Sequence, residues 1–445
     1  MFKILLRVAS SVVERHSDKM EVGGSIPPPP TPLLYFIFQR SKENIKMVKK
    51  SLIFLITLIL VLSAGKIAFS FQENSEGFSR KIVVFKKGVD PRTKEDLIKK
   101  AGAIKIKDFK LINGGAFYLS LKGEKLLSQN KEILKIEQDQ EVFTLSRWAN
   151  PKKTEPQPKE ILPWGIDRIE AEKVWASTTG DSVKVAVVDT GIDISHPDLR
   201  DNIKGGVSTV SYTSSYNDDN GHGTHVAGII AAIDNEIGVV GVGPKIDLYA
   251  VKVLNRKGSG YLSDVIEGLE WVLEKKNTDG GDWVINMSLG TALDNSTFHE
   301  VIKKLNEENI PVVAAAGNEN GGKVTFPAAY DEVIAVSATD QQDRLASFSS
   351  VGPEIDLAAP GVNIYSTYKG KTYTTLSGTS MAAPHVTGVV ALLLDTKKCD
   401  LDNDNVCSPR EIQQRLEGTA KDLGPDGKDK YYGAGLVNAW KALND

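Results

Sequence analysis

A chain of 445 residues is long enough for two or three domains, and 41% hydrophobic with 25% charged residues is ordinary for a globular protein. A formal net charge of −3 leaves no basic footprint for nucleic acid or an anionic membrane surface. The two cysteines, Cys399 and Cys407, can close at most one small loop, so no disulfide framework carries the fold.

In chain order, Lys49-Lys50 precede an apolar run from Leu52 to Leu62, and Ala68-Phe69-Ser70 offers a small-x-small cleavage site. This pattern reads residues 47–70 as a secretory signal peptide. The run falls short of the roughly 20 apolar residues that span a bilayer, although a retained anchor is the competing reading. A signal does not normally sit behind 46 residues. Gly24-Ser25-Ile26-Pro27 is encodable as GGT TCG ATT CCN, which looks like the T-arm consensus of a tRNA gene. Residues 1–46 are therefore expected to be a mis-called extension, with a Pro-rich leader around Pro27 to Pro30 as the alternative. Genomic DNA without an overlapping tRNA gene rejects the idea.

Within residues 71–145, Lys81–Phe85, Ala116–Leu121 and Ile133–Glu137 read as strands. Thr93–Ala101 and Gly123–Asn130 read as helices, with Asp90 or Thr93 as possible caps of the first. The expected order is β-α-β-β-α-β, a small ferredoxin-like α+β unit. Residues 146–160, with Lys152, Lys153, Pro156, Pro158 and Lys159, read as an exposed linker, and residues 161–445 as the main domain.

Three segments of that domain each carry one chemically distinctive residue. Val185 to Val188 is an apolar run of the kind found in buried parallel strands, and it ends in Asp189. Ligands bind at the carboxyl ends of such strands, although a lone Asp there is more often a turn residue. His222 lies between Gly221 and Gly223, which leave the imidazole uncrowded, and opens a small-residue helix. His222 and His225 at i and i+3 also suggest zinc, but no Glu stands between them and no third ligand is evident. Ser380 sits at a turn into a helix that continues through the apolar Val389–Leu394. Ser377, Thr379 and Ser380 all qualify as simple caps.

Further on, Asp400, Asp402 and Asp404 stand at positions 1, 3 and 5 of a twelve-residue loop. Val406 falls at 7, Ser408 at 9 and Glu411 at 12, the ligand spacing of an EF-hand calcium loop. Asn405 replaces the usual glycine, and asparagine tolerates the left-handed conformation needed there. A Cys399–Cys407 disulfide would brace this loop, which an exported protein permits. A plain acidic surface loop is the alternative.

Taken together, Asp189-Thr190-Gly191, His222-Gly223-Thr224-His225 and Gly378-Thr379-Ser380-Met381-Ala382 resemble the subtilase family of serine proteases, over roughly residues 80–440. The resemblance implies a doubly wound α/β fold with a mostly parallel sheet. Ser380 is then the nucleophile, His222 the base and Asp189 its orienting carboxylate. By the same resemblance Asn318, after Val312-Val313-Ala314-Ala315-Ala316-Gly317, donates its amide to the oxyanion, with the Ser380 N–H as second donor. Gly258-Ser259-Gly260 and Ser288-Leu289-Gly290 are the implied edges that grip an extended peptide. Ala314, Ala315, Ala316 and Gly317 form one pocket wall. Thr325 aligns with the pocket floor, where many members have glycine. A threonine there should make the pocket shallower and favour medium apolar side chains over large aromatic or basic ones.

The resemblance also implies a calcium site. Its oxygens come from Asp198, the Asn235 side chain, the carbonyls of Ile233, Ile237 and Val239, and Glu160 near the mature N-terminus. The unit at 71–145 corresponds to an inhibitory propeptide and folding helper whose end, near Val142 to Leu145, occupies the active site until it is cut. The expected protein is a secreted, monomeric endopeptidase acting on proteins and peptides, stabilised by Ca2+ and without a nucleic-acid partner or stable membrane anchor. A non-catalytic binding protein of the same fold is disfavoured by four intact site positions. An α/β-hydrolase esterase would need the order Ser…Asp…His and a Gly-x-Ser-x-Gly elbow. A sedolisin-type peptidase would leave His222 without a role.

Overall fold

The computed structural model describes residues 77–146 and 155–445. The expected extension 1–46 and signal peptide 47–70 lie outside the described residues, as do residues 71–76 and 147–154.

The N-terminal module runs β1 (Ser79–Phe85), α1 (Pro91–Lys100), β2 (Ile104–Asp108), β3 (Gly114–Leu119), α2 (Leu121–Ser128) and β4 (Ile133–Gln138). Its antiparallel sheet has the order β2-β3-β1-β4, the ferredoxin-like arrangement. Strand β2, Ile-Lys-Ile-Lys-Asp, is a charged edge with no apolar run to announce it. Asp90 is the cap of α1, accepting from Thr93 N at 3.0 Å. Ser120 caps α2, so β3 stops at Leu119 rather than at Leu121.

Side chains of β1 alternate between two cores, as a strand's period of two requires. Val83 and Phe85 pack with Leu97, Phe117 and Leu127 beneath the module's own helices. Ile82 and Val84 belong instead to the apolar cluster of the main domain, with Ile266, Leu269, Val301 and Leu305. The module therefore buries one face of its sheet on its neighbour.

After β4 comes β5 (Glu141–Thr144). The main domain then runs α3 (Trp164–Arg168), β6 (Lys184–Asp189), β7 (Ile203–Ser208), α4 (His222–Ala231), β8 (Asp247–Lys252), β9 (Ser259–Tyr261) and α5 (Leu262–Asp279). It continues with β10 (Trp283–Met287), β11 (Leu289–Gly290), α6 (Ser296–Glu307), β12 (Val312–Ala315), β13 (Val333–Thr339) and β14 (Leu357–Pro360). The hairpin β15 (Ile364–Tyr368) and β16 (Thr372–Leu376) leads into α7 (Thr379–Thr396), followed by α8 (Pro409–Thr419) and α9 (Ala439–Asn444).

Seven strands form one sheet in the order β14-β13-β12-β10-β6-β8-β7. Every ladder in it is parallel. Parallel strands with helices on both faces are buried on both sides, which is why Val185–Val188 of β6 and all of β12 read as unbroken apolar runs. Helix α7 is buried from Thr379 to Leu394 and packs on the middle of the sheet. Strand order turns outward in both directions from β6 and β10, so the crevice at their carboxyl ends is the topological switch point. Asp189 ends β6, and Asn318 follows β12 by a short turn.

Candidate active site

The four residues singled out for chemistry fall into two contacts, Asp189 with His222 and Asn318 with Ser380 across the Leu145 carbonyl, carried on helices that pack together. His222 Nδ1 lies 2.8 Å and 2.9 Å from the two carboxylate oxygens of Asp189. Both side chains are buried. Gly223 serves a closer purpose than leaving the imidazole room. A β-carbon there would stand 2.2 Å from the Gly191 carbonyl, so only glycine lets α4 start against the end of β6.

Two residues missed in the sequence hold this contact. Thr190 Oγ1 accepts from Gly223 N at 2.9 Å and donates to Asp218 at 2.9 Å. The buried Asp218 carboxylate also accepts from Asn220 N, Gly221 N, Thr224 N and Thr224 Oγ1 at 2.6–3.0 Å. It folds the turn that delivers His222. Its only sequence signal is an acidic residue three positions before a glycine, which is common in surface loops.

His225 points elsewhere. Its Nε2 faces the carbonyls of Ile364 and Thr374 at 3.1 Å and 3.2 Å, and burial, with His222 nearby, holds its pKa down to about 3. The i, i+3 pair therefore does not converge as two metal ligands. His222 Nε2 is buried and has no hydrogen-bond partner among the described residues.

Ser380 stands in the first turn of α7, whose N-cap is Gly378 without a side-chain cap, so neither Ser377 nor Thr379 nor Ser380 plays that role. Its hydroxyl donates to the Ser288 carbonyl at 3.0 Å rather than to His222. Nucleophile–base hydrogen bonds are often absent until the reacting geometry forms. Ser288 Oγ in turn donates to the Ser380 carbonyl at 2.9 Å, so the two segments clamp each other.

Strand β5 occupies the groove in front of Ser380. It pairs antiparallel with β9 on one side and β11 on the other. Thr144 N donates to the Gly258 carbonyl at 2.9 Å, Phe143 pairs with Ser259 and Val142 with Gly260. Leu289 pairs with Thr144 and Gly290 with Phe143, while Leu145 N donates to the Ser288 carbonyl at 3.2 Å. Both predicted edges thus grip one extended segment. Its Leu145 carbonyl accepts from Asn318 Nδ2 at 2.5 Å and from Ser380 N at 3.2 Å. Asn318 is aimed from behind, because its Oδ1 accepts from both Thr379 N and Thr379 Oγ1 at 3.1 Å. As a letter Thr379 qualifies only as a cap, a role that the helix end does not give it.

The Leu145 side chain is nearly buried. A β-carbon on Gly290 would lie 3.1 Å from Leu145 Cδ1 and 2.7 Å from Thr325 Oγ1, so Thr325 and Gly290 share the pocket with it. Ala314, Ala315, Ala316 and Gly317 are buried, and Thr325 N donates to the Ala316 carbonyl at 2.9 Å.

Two oxygen-rich loops lie away from the crevice. At the first, Asn235 N donates to Glu160 Oε2 at 2.6 Å and Asn235 Nδ2 to Asp198 Oδ1 at 2.9 Å. Asp198 is buried, which pushes its carboxyl up to about 6, with Glu160 adding to the rise. Among the described residues neither carboxylate has an ion-pair partner, and the Ile233, Ile237 and Val239 carbonyls accept no hydrogen bond. This donor set fits a hard dication, provided the Asn235 amide turns its oxygen inward. Residues 155–161 are not a free linker: Glu155 bridges to Tyr373, Lys159 to Ile237 and Ile161 to Val239.

At the second loop, Asp400, Asp402 and Glu411 bring carboxylate oxygens within 4.8 Å of one another. Asp404 stays outside this trio, its Oδ1 accepting from Val406 N at 2.7 Å. Ser408 and Glu411 form a capping box on α8, a second use of the same spacing. Asn405 has φ of 68°, the left-handed conformation expected of it. Cys399 and Cys407 are disulfide-bonded across the loop.

Comparison with known proteins gives the class. The Subtilase family profile matches residues 180–435. A thermostable alkaline protease of Halalkalibacterium halodurans is 45% identical over 313 residues, 70% of this chain and 80% of that protein. Subtilisin NAT of Bacillus subtilis subsp. natto is 40% identical over 401 residues, 88% of this chain and 97% of its own length. M-protease of Shouchella clausii is 45% identical over 314 residues, 70% of this chain and 74% of that protein. The chain belongs to the subtilase family and is a serine endopeptidase of the subtilisin type.

Proposed function

We propose that this chain is a secreted endopeptidase made as an inhibited precursor, which cuts itself after Leu145. The observation that carries the reading is the Leu145 carbonyl held between Asn318 Nδ2 and Ser380 N. Those two donors aim at the oxygen that turns anionic when the carbonyl is attacked. Ser380 Oγ leaves the Ser288 carbonyl, attacks the Leu145 carbonyl carbon and gives its proton to His222 Nε2. That nitrogen, buried and without a partner among the described residues, is available for it. Asp189 holds the other ring nitrogen as donor and stabilises the imidazolium. The imidazolium then protonates the leaving amine of Ser146, and water repeats the sequence on the acyl-enzyme. Replacing Asn318 with alanine is expected to lower kcat by about 10²–10³ with little change in KM, in peptide hydrolysis at saturating substrate. An unchanged kcat would remove Asn318 from the oxyanion site.

In this reading residues 71–145 are the propeptide, and strand β5 blocks the groove as a bound substrate does. Residues 47–70 are read as the export signal. Among the described residues no helix is long and apolar enough to cross a membrane.

Calcium is read as the structural cofactor. Glu160, Asp198, Asn235 and the carbonyls of Ile233, Ile237 and Val239 would hold one ion, which neutralises the unpaired carboxylates and fastens residues 155–161. Asp400, Asp402 and Glu411 would hold a second, with Asp404 recruited only if its loop shifts. Chelation is expected to lower Tm on the order of 10 °C, restored by calcium. Glu160→Ala should remove one bound ion by equilibrium dialysis. Unchanged ion stoichiometry would reject Glu160 as a ligand.

A further inference from the structure

Helix α5 begins without a cap of its own. Tyr261 occupies the N-cap position and supplies no side-chain acceptor. The donors of its first turn are taken from outside the helix. Leu262 N donates to the Gln140 carbonyl at 2.9 Å, Ser263 N to Asp139 Oδ1 at 2.9 Å and Ser263 Oγ to Asp139 Oδ2 at 2.8 Å. At α6, Asn295 caps Phe298 N, but Ser296 N and Thr297 N donate to the two Glu137 oxygens at 2.9 Å and 3.0 Å. Two helix N-termini thus each hold a carboxylate, and the two carboxylates stand two residues apart on one extended segment. The Asp139 side chain is fully buried there.

We propose that these helix ends form an extension of the substrate groove in the mature enzyme. It selects peptides with carboxylates at the seventh and ninth residues before the cut, counting Leu145 as the first. The inference rests on the peptidase reading of the same groove. Its basis is register: Glu141 pairs with Tyr261, the residue immediately before α5. A peptide lying between β9 and β11 in the direction of β5 is therefore led onto the end of α5, and the next residues upstream reach α6. Gln140 shows the intervening step, with its Nε2 donating to the Asp294 carbonyl and its Oε1 accepting from Thr291 Oγ1. When the N-terminal module departs, the amides of Leu262, Ser263, Ser296 and Thr297 lose the acceptors it supplied, and a substrate carboxylate supplies the same chemistry.

Two charges modify the strength of the site. Arg80, which donates to Asp139 at 2.9 Å, leaves with the module. Asp264, beside Ser263, loses its partner Lys107 in the same event and then opposes an incoming carboxylate. The preference is therefore moderate and sensitive to salt.

The test uses processed, module-free enzyme and three internally quenched peptides. One carries residues 137–149 of this chain, the second is the same with Glu137→Gln and Asp139→Asn, and the third starts at Glu141. At low salt kcat/KM for the first should exceed that for the second by about tenfold, shrinking to about twofold in 1 M NaCl. Ser263→Asp, which caps α5 internally, should bring the ratio of the first two near one, and Asp264→Asn should raise it. Equal rates for all three peptides overturn the inference and leave the peptidase reading intact. If none of the three is cut, the peptidase reading fails and the inference falls with it.

Discussion

Ser380→Ala is expected to leave the precursor uncut and to lower kcat by about six orders of magnitude, the loss known for removing a triad nucleophile in this family. Among the described residues, the two neighbouring hydroxyls in the clamp around Leu145 are already engaged. Ser288 Oγ is engaged with the Ser380 carbonyl, and Thr379 Oγ1 is engaged with Asn318. The substitution removes one oxygen at the start of a buried helix whose capping does not use it, so the variant should fold as the wild type does. The check is a gel of the expressed precursor with N-terminal sequencing and a peptide assay. Wild type should yield a shorter band beginning at Ser146, and the variant a single full-length band with no hydrolysis. A variant that still processes itself would mean that another group attacks the Leu145 carbonyl.

Asp189→Asn is expected to lower kcat by about 10⁴ near neutral pH while leaving KM nearly unchanged, as replacing a triad carboxylate by its amide does. The carboxylate accepts from Thr190 N at 2.7 Å and faces His222 Nδ1 with both oxygens. An amide at this place can present its NH2 to the imidazole, which turns the ring to the wrong tautomer and leaves Nε2 protonated when it should accept. The shape of the site is retained, because Thr190, Asp218 and Gly223 hold the strand end and the helix start independently of that charge. The loss should shrink at high pH, where hydroxide can substitute for the missing base. A loss below about tenfold at neutral pH would assign His222 orientation to the backbone network instead.

The chemistry of the site was legible through the family resemblance of its linked motifs, and several of these residues border a strongly patterned apolar segment. Asp189 follows an apolar strand, Asn318 follows another, and Ser380 opens an apolar helix, so their neighbours advertise burial while they cannot be there for packing. The residues that aim them were not legible. Thr190 and Thr379 act on Gly223 and Asn318, far from them in sequence, Asp218 joins Thr190 to the backbone of its own turn, and as isolated letters they are turn and cap residues. The acidic loop shows the opposite case. Spacing alone placed six ligands on it, yet the folded loop gathers Asp400, Asp402 and Glu411 and turns Asp404 to its own backbone.

By itself the sequence determined the order of the N-terminal module, because apolar periodicity dictates which faces must leave water, while the fold class and the meeting of three distant segments came from the resemblance its motifs carry. Only the tertiary structure decided that β5 fills the groove, with Leu145 against Asn318 and Ser380. It alone decided that β1 divides its side chains between two cores, and that α5 and α6 take carboxylates from Asp139 and Glu137. These are pairings between residues far apart in the chain. Their free energy comes from apolar surface and helix-end donors finding one another in space, and no local pattern records which partner they will meet.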